Sequence, residues 1–380
     1  MEEGHEGEEH QGWLRVPLGD PHWTSSRVER TILVVARTLV STSWMLDILP
    51  ELVSDPRVQV VFTVESDRPS VYRQGAVDLL GELGIPIVPW DQATSTRFDL
   101  AMSASDTGDL HELRTPLLQL PHGPGVGKRV ALPRGGRPPI TRAGDRGAVP
   151  ATTTVVAHSN QLDLYDPADG YRVLVAGDPV YDRLVVSERH RPRYRSAYGV
   201  ASDEVLVVLS STWGLTSQFA KHPDLAHRLL REVSIDRCRV AAILHPNLWI
   251  GHGAWQVRTW MRDAIDAGLV LVPPRDAWRS AVVAADLVIA DHGSVAFYAA
   301  ASGAPLLLAG FHDADVLPDS TIGALGRAAP RLDLSEPLDQ QVSTHATGRD
   351  PDRYRTLVER MFEHPGRALE NIRRAIYDAI

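Results

Sequence analysis

The sequence predicts an α/β protein made of two Rossmann-like domains, each a doubly wound parallel sheet, facing each other across a central cleft. Three observations carry this. Short apolar runs of strand length alternate with helical segments along most of the chain. The length of 380 residues suits two domains of ordinary size. The alternation breaks once, over residues 186–201, which are charged and poor in large aliphatics. The expected division is an acidic, disordered arm at 1–27, a first Rossmann-like domain at 28–186, a second at 187–345, and closing helices at 346–380 that pack back toward the first domain.

Bulk properties narrow the class. The single cysteine, Cys238, excludes an internal disulfide framework and a cysteine-built metal site. No apolar run reaches the ~18 residues of a membrane helix, and the acidic N-terminus shows no signal-peptide core, so a cytoplasmic protein without an integral membrane segment is expected. A net charge of -9 argues against general nucleic-acid binding. Five of the nine residues from 2 to 10 are Glu. His5, His10 and His22 lie in this arm, where nothing fixes a metal-binding geometry.

In chain order, residues 31–36 (TILVVA) form the first buried strand, and 38–53 a helix that Pro50 bends or interrupts. Strands are expected at 58–64, 85–88, 98–102 and 117–120, with a helix at 70–83. The loop after the first strand holds Arg37, Thr38, Ser41, Thr42 and Ser43. Loops at strand carboxyl ends are where open α/β sheets bind ligands, although ordinary helix capping accounts for these Ser and Thr equally well.

The stretch from Pro121 to Lys128 (PHGPGVGK) is glycine-rich and follows a strand. It fails the Walker A pattern, because the position five before Gly127 is His122 and Arg129 follows Lys128. It fails the dinucleotide pattern, because its glycines run Gly123, Gly125, Gly127. What is left is a turn led by a histidine, which suits a general base or a hydrogen-bonded loop position. Residues 128–150 then carry Lys128, Arg129, Arg134, Arg137, Arg142 and Arg146 against one acid, Asp145. This reads as a lid over a phosphorylated substrate or as a solvated loop.

Strands at 152–157 and 171–175 complete the first half. The second half repeats the alternation. A strand at 205–209 runs into the polar turn Ser210 to Gly214, and one at 240–244 ends in His245-Pro246-Asn247. Helices are expected at 223–233, 254–267 and 276–284, with a strand at 269–272. The densest unit is 285–310. It runs from a strand through the turn Asp291-His292-Gly293-Ser294 into a small-residue helix ending at Gly303 and Pro305, and then into another strand. A helix mouth offers unpaired N–H groups and partial positive charge to an anion, and Asp291 or Ser294 as a plain cap explains the turn as well. After Pro318 the pattern loosens until amphipathic segments at 354–362 and 367–380.

Four segments, in order, carry a resemblance: His122-Gly123 with Lys128; Gly177-Asp178-Pro179 through Leu184; Ser211-Thr212-Trp213 with His245-Pro246-Asn247; and Asp291 to Ser294 opening its helix. In these the chain resembles the GT-B glycosyltransferase superfamily, and within it the CDP-glycerol glycerophosphotransferase-like family. The resemblance implies an acceptor side in the first domain and a nucleotide-diphospho donor held by the second. It implies His122 as catalytic base and His245 on the donor phosphate. Gly293 and Ser294 would hold the pyrophosphate, beside Asp291 and His292, with Ser211 and Thr212 lining the same pocket. No metal cofactor is implied, since helix dipoles and cationic side chains stabilise a leaving diphosphate. The family carries Asp-Tyr-Ser-Ser at the Asp291 turn and an acid where Tyr298 stands. The expected function is a transferase moving a glycosyl or glycerophosphoryl-type group to a hydroxyl of a soluble small molecule or glycan. The alternatives are a UDP-GlcNAc 2-epimerase-like isomerase and a non-catalytic nucleotide-binding protein.

Overall fold

Strands buried on both faces read as unbroken apolar runs, and that is how the sheets of this chain are written. A computed structural model describes residues 27–50, 54–65, 71–105, 109–123, 152–165, 172–233, 237–275, 277–318, 320–346 and 348–380. The expected acidic arm up to residue 26 and the basic segment with Lys128 lie outside these residues.

The first sheet holds β1 (Arg30–Ala36), β2 (Val58–Val64), β3 (Ile87–Val88), β4 (Leu100–Ser103), β5 (Leu117–Gln119), β6 (Thr152–Val156) and β7 (Arg172–Val175). Their order is β3-β2-β1-β4-β5-β6-β7. The second sheet holds β8 (Val205–Ser211), β9 (Cys238–Leu244), β10 (Val270–Leu271), β11 (Leu287–Ala290) and β12 (Leu306–Leu308), in the order β10-β9-β8-β11-β12. Every pairing is parallel. The central strands are sealed: Ile32, Leu33 and Val34 in β1, and Leu287, Val288 and Ile289 in β11, have no exposure. Both sheets start in the middle, step outward, then jump back across the first strand. Each therefore has a switch point, between β1 and β4 in one and between β8 and β11 in the other, where a crevice opens at the strand carboxyl ends.

Three stretches differ from the sequence expectation. The expected break at 186–201 is helical, with Pro179–Ser187 and Arg191–Ala197 joined by a short 3-10 turn. Two of its arginines are anchored. Arg191 and Arg195 both bond Asp286, which also accepts the Leu206 amide at 2.8 Å. The loosening after Pro318 contains helices at Thr321–Ala328 and Leu338–His345. Gly323 and Gly326 hide the first of them, and close packing requires both. A Cβ on Gly323 would lie 2.6 Å from the Leu317 and Pro318 carbonyls, and one on Gly326 would lie 2.6 Å from the Phe311 ring. The segment 254–267 splits at Met261 into Ala254–Trp260 and Arg262–Asp266.

The lobes touch directly. Asp47, on helix Leu39–Ile48, receives Arg183 from Pro179–Ser187, the crossing helix that leads from the first sheet to the second, and Arg279 from the second lobe. Glu82 pairs with Arg275. Gly75 gives Ile250 room, since a Cβ there would lie 2.5 Å from its Cδ1. The final helix, Ala368–Ala379, returns to the first lobe, where Asn371 donates to the Ala176 carbonyl at 3.1 Å and Tyr377 to Asp55 at 3.0 Å. Among the described residues no helix is long and apolar enough to cross a membrane.

Candidate functional site

The two switch points face each other. In the second lobe, β8 and β11 end side by side, and the loops that leave them are tied by one carboxylate. Asp291 is 1% exposed. Its Oδ2 accepts the Thr212 amide at 2.8 Å and the Gln218 amide at 2.9 Å, and its Oδ1 accepts the Gly293 amide at 2.9 Å. Asp291 thus closes the 212–218 loop at both ends and holds the 291–294 turn against it. Its acceptors face the loops' own backbone, so the part it plays is to build the turn.

That turn delivers the helix Ser294–Ala301, with Gly293 as its N-cap residue in extended conformation. Gly293 is needed for closeness rather than for a left-handed backbone. A Cβ there would meet Asp291 Oδ1 at 3.1 Å and Thr212 Cβ at 3.4 Å. Gly293 gives its amide to Asp291, so the next amides, of Ser294 and Val295, have no carbonyl of their own helix to bond. Ser294 is exposed at this mouth. His292 turns inward instead; it is 5% exposed with its ring edge-on to Phe311 at 6.4 Å.

Ser211 builds the loop as well. Its hydroxyl accepts the Phe219 amide at 2.9 Å and donates to the Thr212 carbonyl at 2.9 Å. Thr212 lies beside Gly293. His245, at the end of β9, caps helix Pro246–His252; its Nδ1 accepts the Asn247 amide at 3.1 Å. An Nδ1 that accepts carries no proton, so the neutral ring holds its proton on Nε2 and presents a donor.

In the first lobe, His122 follows β5 and is exposed. Its Nδ1 lies 2.6 Å from the Ala104 carbonyl, at the end of β4. A carbonyl only accepts, so Nδ1 donates and Nε2 is left with a free lone pair. The two histidines are thereby held in opposite tautomers, His122 able to take a proton and His245 able to give a hydrogen bond. The next residue joins the lobes. A Cβ on Gly123 would lie 4.0 Å from the Ser294 Cβ. His122, Gly123, Ser294, Gly293 and Thr212 form one continuous array across the cleft, and His245 joins it where its amide bonds the Ser211 carbonyl at 3.0 Å.

The wall expected after β1 is occupied by capping. Thr38 and Ser41 bond each other in a capping box, and Ser41 and Thr42 are buried.

Where the resemblance leads one to look for an acid, Tyr298 is 3% exposed and donates to Asp178 Oδ2 at 2.9 Å. Asp178 Oδ1 accepts the Val180 and Tyr181 amides at 2.7 and 3.0 Å and so caps the crossing helix. Burial pushes the Asp178 carboxyl up to about 6 against the pull of these hydrogen bonds, and burial likewise raises the Tyr298 phenol well above its usual value. This interlobe pair was not read from the sequence. Its half-signal is Asp178-Pro179, an Asx cap followed by Pro at the first helical position.

No family model matches the chain, and no curated protein matches it. Solved structures do. The S. aureus MnaA–UDP co-structure is similar at 13% identity with a TM-score of 0.51, over 92% of this chain and 98% of that one. UDP-GlcNAc 2-epimerase from Neisseria meningitidis bound to UDP-GlcNAc is similar at 15% identity and 0.52, over 92% of this chain and 100% of that one. A variant of the Wall Teichoic Acid Polymerase TagF soaked with CDPG is similar at 13% and 0.55, over 93% of this chain and 89% of that one. At such identity the likeness is one of fold. Two parallel-sheet lobes facing a cleft, with flanking helices, give this chain a GT-B-like fold related to those of nucleotide-sugar enzymes.

Proposed function

We propose that the chain is a transferase that takes a glycosyl or glycerophosphoryl-type group from a nucleotide-diphospho donor and places it on a hydroxyl of a soluble small molecule or glycan. The observation that carries this reading is the approach of Gly123 to Ser294. It brings the residue that follows the exposed His122 in one lobe up to the helix mouth that Ser294 opens in the other. A diphosphate at Ser294 and Val295 would accept backbone N–H bonds in the field of the helix. His122 Nε2 would take the proton from the acceptor hydroxyl. That oxygen would attack either the anomeric carbon, releasing the nucleoside diphosphate, or the β-phosphorus, releasing the nucleoside monophosphate, and the departing phosphate oxygen would accept a hydrogen bond from the Nε2–H of His245. The acceptor oxygen forms the new bond to the attacked carbon or phosphorus, the bond from that atom to its departing phosphate oxygen breaks, and the electron pair leaves on that oxygen.

Removal of a general base typically costs ~10²–10⁴ in rate. His122→Ala is expected to lose turnover on that order while its affinity for the donor stays within about twofold, a range too small to involve a lost direct contact. Undiminished turnover would take His122 out of the chemistry.

A second reading has its own support, because two of the similar structures concern UDP-GlcNAc epimerases or a UDP complex. An epimerase acts on UDP-GlcNAc alone, without an acceptor. Incubation with UDP-GlcNAc, followed by separation of the products, distinguishes the readings. A C2 epimer formed without added acceptor selects the isomerase. Release of nucleotide that depends on an added hydroxyl compound selects the transferase.

A further inference from the structure

The chain passes between the lobes twice, and the two passages cross at one point. The first leaves β7 through Gly177 into helix Pro179–Ser187, and the second runs from helix Arg355–Glu359 into the final helix, Ala368–Ala379. Gly177 has φ +93, and a Cβ on it would lie 2.5 Å from the Glu363 carbonyl oxygen, so a glycine is what lets the passages come this close. Asp182 on the first passage accepts the Gly366 and Ala368 amides of the second at 2.5 and 2.9 Å. The crossing is fastened to the first lobe just beyond β6. There the Glu363 amide donates to the Ala157 carbonyl at 3.0 Å, and the Glu363 carboxylate accepts the Ser159 amide at 2.7 Å.

Tyr298 enters this crossing from the second lobe and reaches both passages. Its hydroxyl donates to Asp178 on the first. Its ring centroid lies 6.1 Å from that of Phe362 on the second, and Phe362 in turn stacks on Tyr181 of the first at 4.3 Å. The same tyrosine belongs to the helix whose mouth faces Gly123. Ser294 and Tyr298 are four residues apart, about 6 Å along the axis, so a helix held at one is held at the other. We infer that Tyr298 is a positioning residue: through its bond to Asp178 it fixes the angle at which the helix mouth meets the first lobe, and with it the separation of Ser294 from His122. The alignment follows from the contacts; what it serves rests on the transfer reading of the cleft. A misplacement of about 1 Å in a reacting site costs on the order of 10²-fold in rate. A buried hydroxyl one turn behind the mouth therefore bears on turnover.

Double electron–electron resonance on the full chain without nucleotide tests the positioning role apart from the transfer reading. Spin labels at Ser95→Cys in the first lobe and Thr259→Cys in the second, both exposed positions, report the angle between the lobes in a Cys238→Ala background. Tyr298→Phe keeps the ring and removes the hydroxyl. The result expected for it is a distance distribution widened or displaced by about 2 Å or more. Leu229→Ala is a core truncation in helix Leu225–Glu232, away from the crossing, and is expected to cost at least as much stability. It should leave the distribution as in wild type. Identical distributions in Tyr298→Phe and wild type overturn the assignment. So does an equal change in Leu229→Ala, which would mark a general loosening of the fold. Calorimetric titration of the wild type with UDP and CDP tests the other reading separately: if neither binds, the donor reading loses its support, and the positioning role is still decided by the distances.

Discussion

At the scale of single residues, the two cleft histidines differ in what their Nδ1 atoms face. Ala104 supplies an acceptor to one and Asn247 a donor to the other, which suffices to separate a proton acceptor from a hydrogen-bond donor without invoking any difference in acidity. Asp178 shows the opposite case, in which burial does shift a group. Its folded carboxyl, raised to about 6, sits above the ordinary unfolded value, so its protonated form favours the fold. The corresponding stability is present below about pH 4 and is lost as pH rises through about 6. Asp178→Asn is neutral throughout and lacks this slope. Between pH 4 and 7 the stability of wild type relative to that variant should fall by about 2 kcal/mol in denaturant titrations. A difference constant with pH would mean that Asp178 titrates normally. Tyr298→Phe, which leaves a buried Asp178 oxygen without its hydroxyl partner, should destabilise by about 1–3 kcal/mol in the same assay.

At the scale of elements, the 291–294 turn is a knot of backbone amides drawn onto Asp291. Asp291→Ala orphans three of them at once, at Thr212, Gln218 and Gly293. A loss of about 3 kcal/mol or more is expected, with nucleotide binding weakened as the helix mouth loosens. Full nucleotide affinity in a folded Asp291→Ala protein would show that the knot does not shape the site. Elements are also where the sequence was most and least readable. The strands were legible because burial on both faces leaves apolar runs such as ILVV at Ile32 to Val35. The helix Thr321–Ala328 was not, because Gly323 and Gly326 lower helix propensity and are present for a neighbour that only the tertiary structure supplies. Arg191 and Arg195 misled for a similar reason, since a charge bonded to Asp286 and one in water look alike in a sequence. In the site, the motif order singled out His122, Ser211, Thr212, His245, Asp291, His292, Gly293 and Ser294 alike, but no spacing could show that Ser211 and Asp291 turn their polar atoms onto their own loops or that His292 is buried.

At the scale of the whole molecule, two sheets with the same winding place two crevices mouth to mouth, and contacts beside the cleft hold that alignment. Asp47 joins guanidinium groups from the crossing helix and the second lobe. Asp47→Ala leaves both of them partly buried and without this acceptor, and should cost about 1–3 kcal/mol by chemical denaturation. An unchanged midpoint would assign the alignment to the apolar contacts around Gly75 and Ile250 instead. The proposed transfer requires that a nucleotide bind in the cleft between the lobes. A crystal structure of the full chain soaked with a saturating nucleoside diphosphate tests this directly. The expected density places the diphosphate on the Ser294 and Val295 amides with the His122 imidazole on the facing wall. A nucleotide bound anywhere outside that cleft, or a cleft still empty at saturation, would contradict it.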